Sequence, residues 1–156
     1  MKLQIEWGRA VQLKYVNSQG KIYDLELTKV VSGSGVYIFG RRFGRQFEAL
    51  YVGKADRIRG RIRTQLNNLR LMQHLRTAKS GKRILLAGKL IPRRGQKLPK
   101  CLALAERALI RYFLSKGHDL VNKQGTRLRE HELRSGGKYP KRYFPRLMYL
   151  EKTKRA

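Results

Sequence analysis

The sequence predicts a mixed α/β domain built in packed layers, and three stretches carry that prediction. Residues 36–39 and 49–52 are short apolar runs joined by a polar, glycine-bearing loop, residues 40–46, and read as an antiparallel hairpin. Residues 83–91 form a strongly apolar run that stops at Pro92 and read as a buried central strand. Residues 102–114 repeat apolar positions on a helical period. Strands and helices with apolar faces must bury those faces against one another, which gives a layered domain. At 156 residues the chain is long enough for one such domain and a modest extension.

In chain order, residues 11–16 and 21–27 alternate apolar with polar positions around Asn17-Ser18-Gln19-Gly20, a turn signal. This predicts a hairpin within an N-terminal extension, residues 1–31, with no obvious chemistry of its own. Ser32-Gly33-Ser34 reads as a flexible joint opening the main domain, residues 32–128. After the central hairpin a basic helix is expected over residues 55–66. Asp56 suits its N-cap or first turn, and Arg57 and Arg61 share a face, flanked by Arg59 and Arg63. Asn67-Asn68 interrupts, and residues 69–78 predict a second short helix. The strand at 83–91 leads into a basic loop, residues 93–99.

On the helix at 102–114, Leu102, Leu109 and Phe113 form one stripe, with Ala105 and Ile110 at its edges and Arg107 and Arg111 opposite. Glu106 falls inside the apolar stripe. A carboxylate facing a core is costly unless it is paired, hydrogen-bonded or bound to a metal. An ion pair with an arginine and a metal site are both open. Gly117 suits the helix C-cap. The last segment, residues 129–156, is a basic extension in which Tyr139, Tyr143, Phe144 and Tyr149 alternate with cations such as Lys138, Lys141 and Arg142. Rings among cations suit phosphate contact with stacking, and equally a final strand over 142–150 that packs its aromatics on the domain.

Lysine and arginine number 37 against 10 acids, a formal net charge of +27. Self-repulsion on that scale opposes a compact state, and a nucleic acid is the simplest polyanion to relieve it. Charge alone says nothing about catalysis. The single Cys101 excludes an intrachain disulfide and a cysteine metal cluster, and its apolar neighbours predict a packed thiol. Residues 1–10 lack the apolar centre of a secretion signal. The apolar runs fall far short of the ~20 residues that span a bilayer. A soluble, cytoplasmic protein without a membrane partner is the expectation.

Gly35-Val36-Tyr37, then Tyr51-Val52-Gly53-Lys54, then Arg61 ten residues after the second tyrosine, resembles the GIY-YIG nuclease family. The resemblance covers roughly residues 33 to 125. It implies a small antiparallel sheet flanked by helices and a metal-dependent endonuclease acting on duplex or branched DNA. It further implies Tyr37 as general base, Tyr51 as the second motif tyrosine, orienting phosphate or water, and Arg61 as the group that stabilises phosphate charge. Glu106 would hold a divalent ion, Mg²⁺ or alternatively Mn²⁺, and Asn122 would orient a neighbour or the phosphate. Lys54 follows the second motif as in many relatives, and is expected to help lower the pKa of Tyr37. Arg57, Arg59, Arg63, Lys123, Lys138, Lys141 and Arg142 are the expected nucleic-acid contacts.

Two departures stand out. Thirteen residues separate Tyr37 from Tyr51, which suggests an enlarged basic hairpin tip. Many relatives carry histidine four residues after the arginine, where this chain has Gln65; His74 and His118 are the other histidines to weigh, though a lone histidine is more often structural. The competing expectation is a weakly active or inactive nucleic-acid-binding protein on the same scaffold. A ribosome-associated RNA-binding protein rests on charge alone.

Overall fold

Residues 35–39 are apolar at consecutive positions, and such a strand must be covered on both faces. In the computed structural model, which describes residues 2–121, 131–140, 142–144 and 146–150, the strand is covered in this way. The chain forms β1 (Gln4–Trp7), β2 (Val11–Gln12), β3 (Lys14–Ser18), β4 (Lys21–Asp24) and a single 3₁₀ turn, Leu27–Lys29. The central hairpin follows as β5 (Gly35–Phe43) and β6 (Gln46–Ala55). Then come α1 (Ile58–Leu66), α2 (Leu69–Thr77), β7 (Lys82–Ile91), α3 (Leu98–Ser115), β8 (His131–Arg134) and β9 (Leu147–Leu150).

The main sheet is antiparallel throughout, in the order β1-β7-β5-β6, with β2 also paired to β7. Alternation along β5 sorts the core into two layers. Tyr37 and Phe39 pack with Ile58, Ile62, Leu71 and Leu75 of α1 and α2. Ile38, Ala49 and Val52 pack with Ile110 and Leu114 of α3 on the other face. Leu90 extends that second face onto Cys101 and Leu102. The sheet is therefore sandwiched, with α1 and α2 on one side and α3 on the other. Cys101 is fully buried, as its setting predicted.

Several elements differ from the sequence reading. The loop expected over residues 40–46 is mostly strand. The two strands continue past a bulge at Phe39 and Gly40 to a tip of only Gly44 and Arg45, so the extra length lies in the ladder and not in an enlarged loop. Arg41 explains the continuation: it donates to Glu48 at 3.1 Å and to the Ser80 carbonyl at 2.8 Å, so the polar residues have partners in the sheet. β1 went unread because its exposed, mixed composition gives no period. The N-terminal hairpin is shorter than expected, since Val11 and Gln12 leave it to pair with β7. The Ser32-Gly33-Ser34 joint is pinned: Ser34 Oγ donates to the Asp56 carbonyl at 2.7 Å and Ile58 N donates to Gly33 O.

α1 begins at Ile58, later than expected, and Arg57 rather than Asp56 occupies its N-cap, without a side-chain bond. α3 begins at Leu98, earlier than expected, because Pro99 sits in the first turn, where its missing N–H costs nothing. Gly117 closes α3, with His118 N bonded to Phe113 O and Gly117 N to Leu114 O. The final strand is β9 alone, paired with β8 in a separate ribbon, and Tyr143 is 84% exposed.

Candidate active site

The glycines of the two motifs are required by close approach. A Cβ on Gly35 would collide with the carbonyl oxygen of Gly88 on β7. Gly53 lies directly opposite Tyr37 in the ladder, and a Cβ there would collide with the phenol ring. The absence of a side chain at Gly53 lets the Tyr37 ring lie flat across β6, beside Tyr51, at a centroid separation of 5.9 Å and an interplanar angle of 23°.

Both hydroxyls meet under α1 at Gln65. Its Nε2 donates to Tyr37 Oη at 2.8 Å and to Tyr51 Oη at 3.0 Å. Its Oε1 accepts from Asn68 Nδ2 at 3.2 Å, and Asn68 Oδ1 in turn accepts from Leu71 N as the cap of α2. The start of α2 thus fixes the amide that fixes the tyrosines. Sequence reading singled out Gln65 only for not being histidine. The missed signal was its spacing: it lies four residues beyond Arg61 and three before a capping asparagine, so a buried amide had partners on both sides.

Tyr37 is 1% exposed. Burial is the main cause that pushes its pKa well above the ordinary tyrosine value. Tyr51 adds to the rise, and the hydrogen bond between the two hydroxyls holds Tyr37 in its protonated form. Donation from Gln65 and the charge of Arg61 act the other way. Arg61, not Lys54, is therefore the cation that assists Tyr37, in contrast to the expectation. The reason is alternation: Lys54 follows Gly53, so it projects from the opposite face of β6.

On that opposite face Lys54 meets α3. Glu106 is half-buried there, and burial raises its carboxyl pKa while Lys54 and then Arg107 pull it down. Among the described residues it makes no ion pair within 4.0 Å, so the nearby cations act through space. Among the described residues no three His, Cys, Asp or Glu side chains converge. Magnesium commonly uses one or two carboxylates and completes its shell with substrate phosphate and water. Glu106 fits that pattern as a single protein donor, and does not fit a cage made by protein alone.

The remaining expected residues fall as follows. Arg57, Arg59 and Arg63 are exposed along α1, and Arg59 donates to the carbonyls of Val30 at 2.7 Å and Thr28 at 3.3 Å. Lys138 and Arg142 are exposed. Asn122, Lys123 and Lys141 lie outside the described residues. Both histidines serve the framework: His118 Nδ1 accepts from Ala49 N at 2.8 Å, and His74 Nε2 lies 2.9 Å from the Asp119 carbonyl. Burial lowers the pKa of His118, and Glu48 opposes that shift. Among the described residues no helix is long and apolar enough to cross a membrane. Compared with known proteins, the chain matches no family model, no curated protein and no solved structure.

Proposed function

We propose that the chain is a metal-dependent endonuclease of the GIY-YIG type that hydrolyses phosphodiesters in DNA. The observation that carries this reading is the array of buried Tyr37 and Gln65 with half-buried Tyr51, and Arg61 beside it, in a chain of net charge +27. Two phenols share one amide donor beneath a cationic helix. Support also comes from topology: the hairpin, two helices, third strand and long helix follow one another in the order that the motif resemblance implies. A cytoplasmic location belongs to the same reading.

In this mechanism Arg61 presents a planar donor fork to the scissile phosphate and offsets developing negative charge. Tyr51 and Gln65 orient Tyr37. Tyr37 is the assigned base: after passing its own proton to solvent, it would take one from the attacking water as a tyrosinate. Glu106, across the sheet from the tyrosine array on the α3 face, would hold a divalent ion, which when bound would supply Lewis-acid chemistry. Lys54 balances the carboxylate before the ion arrives. The burial and raised pKa of Tyr37 favour a second reading, a basic nucleic-acid-binding protein in which the tyrosine pair is structural.

A nicking assay on supercoiled plasmid separates the two. Conversion to open circle with Mg²⁺, abolished by chelation, supports the nuclease. Binding without any conversion under Mg²⁺ or Mn²⁺ supports the second reading.

A further inference from the structure

The ribbon of β3 and β4 stands over α2 and leaves a cleft of about 270 Å³ between them. Its walls come from the turn at residues 17–22 and from Leu69, Gln73 and Arg76 of α2. Among the described residues Lys21 and Arg76 are its charged residues, and no acid lines it. At the rim Tyr15 is 53% exposed, with its ring braced edge-on by Tyr23 at 5.8 Å. The Arg76 guanidinium lies 5.5 Å from the centroid of the same ring. Leu69, in the wall of the cleft, adds exposed apolar surface.

We propose that this cleft binds a single-stranded DNA segment, with its phosphates on Lys21 and Arg76 and a base stacked on Tyr15. A braced aromatic ring beside paired cations is what an unpaired strand recognises, because every base has a π-face and every linkage a charge. A duplex offers the charges and hides the faces. The ribbon packs on α2, whose Asn68 cap holds Gln65, so the cleft and the tyrosine array share one helix. This deepens the nuclease reading by naming its substrate class, DNA with an unpaired flank, and rests on that reading only in requiring that the chain bind DNA.

Fluorescence anisotropy with the full chain tests it, using a labelled 15-nucleotide DNA strand and its duplex. Tyr15→Ala is expected to weaken the strand at least about five-fold, from the loss of one stacked base, and to leave the duplex within two-fold. Lys21→Ala with Arg76→Ala is expected to reduce the salt slope for the strand by about 1.4, at ~0.7 counterion per phosphate. Thermal melts confirm that each variant is folded. An unchanged strand affinity, an equal loss on the duplex, or an unchanged slope overturns the proposal. Tighter binding to RNA of the same sequence overturns its assignment to DNA. A parent that binds the strand through Tyr15 and never nicks plasmid sinks the nuclease reading alone.

Discussion

Gln65 places both amide hydrogens on phenolic oxygens, and this decides what each tyrosine substitution removes. Tyr37→Phe deletes the hydroxyl assigned as base and strips Gln65 of one acceptor. The expected loss of nicking is ~10²–10⁴-fold, with a stability cost of about 1–3 kcal/mol for the underused buried amide. Tyr51→Phe has the second cost without the first, so its nicking should fall less. Rates are compared well below both melting temperatures; a Tyr51→Phe defect larger than that of Tyr37→Phe would reverse the roles. Glu106→Gln keeps the shape and removes a charge that burial already disfavours. It is expected to melt no lower than the parent and to bind DNA normally while failing to cut. Nicking by that variant at the parent's rate in Mg²⁺ would end the metal-ligand role. Glu106 was legible in the sequence because helical period alone put an acid on an apolar stripe. Gln65 was not, because a polar residue on a basic helix looks solvated until the strands beneath it are known.

At the scale of elements, the hairpin tolerates the phenol ring only where β6 lacks a side chain. Gly53→Ala is expected to displace Tyr37, at about 1–3 kcal/mol for overpacking, and to lose nicking more steeply than it loses melting temperature. A variant as active as the parent would mean that the ring position is immaterial. The junction of α3 with β6 adds a pH dependence. His118 must be neutral at Nδ1 to accept from Ala49, and its folded pKa is lowered from the ordinary 6.5. A lowered pKa gives stability that is present above the unfolded value and lost as pH falls through the folded one. Melting temperature is therefore expected to drop below pH 6.5, and to drop less in His118→Asn. Equal pH profiles for parent and variant would show that His118 is not the group responsible. Central strands and the long helix were legible, because consecutive or periodic apolar residues leave few alternatives. The exits of elements were harder: β2 leaves its hairpin for β7, and Pro99 lies in the first turn of a helix where composition reads a loop.

At the scale of the whole molecule, a formal charge of +27 on 156 residues makes salt act twice and in opposite directions. Glu26 pairs with Lys14 and Lys29, and Arg41 with Glu48, but 10 acids against 37 cations leave most of the positive charge unneutralised. The others repel one another across distances comparable to the Debye length, ~10 Å at 0.1 M. Added salt screens that repulsion, so the free protein is expected to melt higher as sodium chloride rises from low to moderate concentration. Bound DNA relieves the same repulsion more effectively and raises the melting temperature by linkage. Yet salt weakens the complex, because each neutralised duplex phosphate releases ~0.9 counterion. The melting increment given by DNA should therefore shrink as the melting temperature of the free protein climbs, and the two curves should converge. Paired melts across a salt series, with and without an excess of duplex, measure both effects. A free protein whose melting ignores salt would mean that its cations are spaced too widely to repel. An increment that ignores salt would mean that DNA is held by contacts other than phosphate, which the exposed arginines along α1 do not lead one to expect.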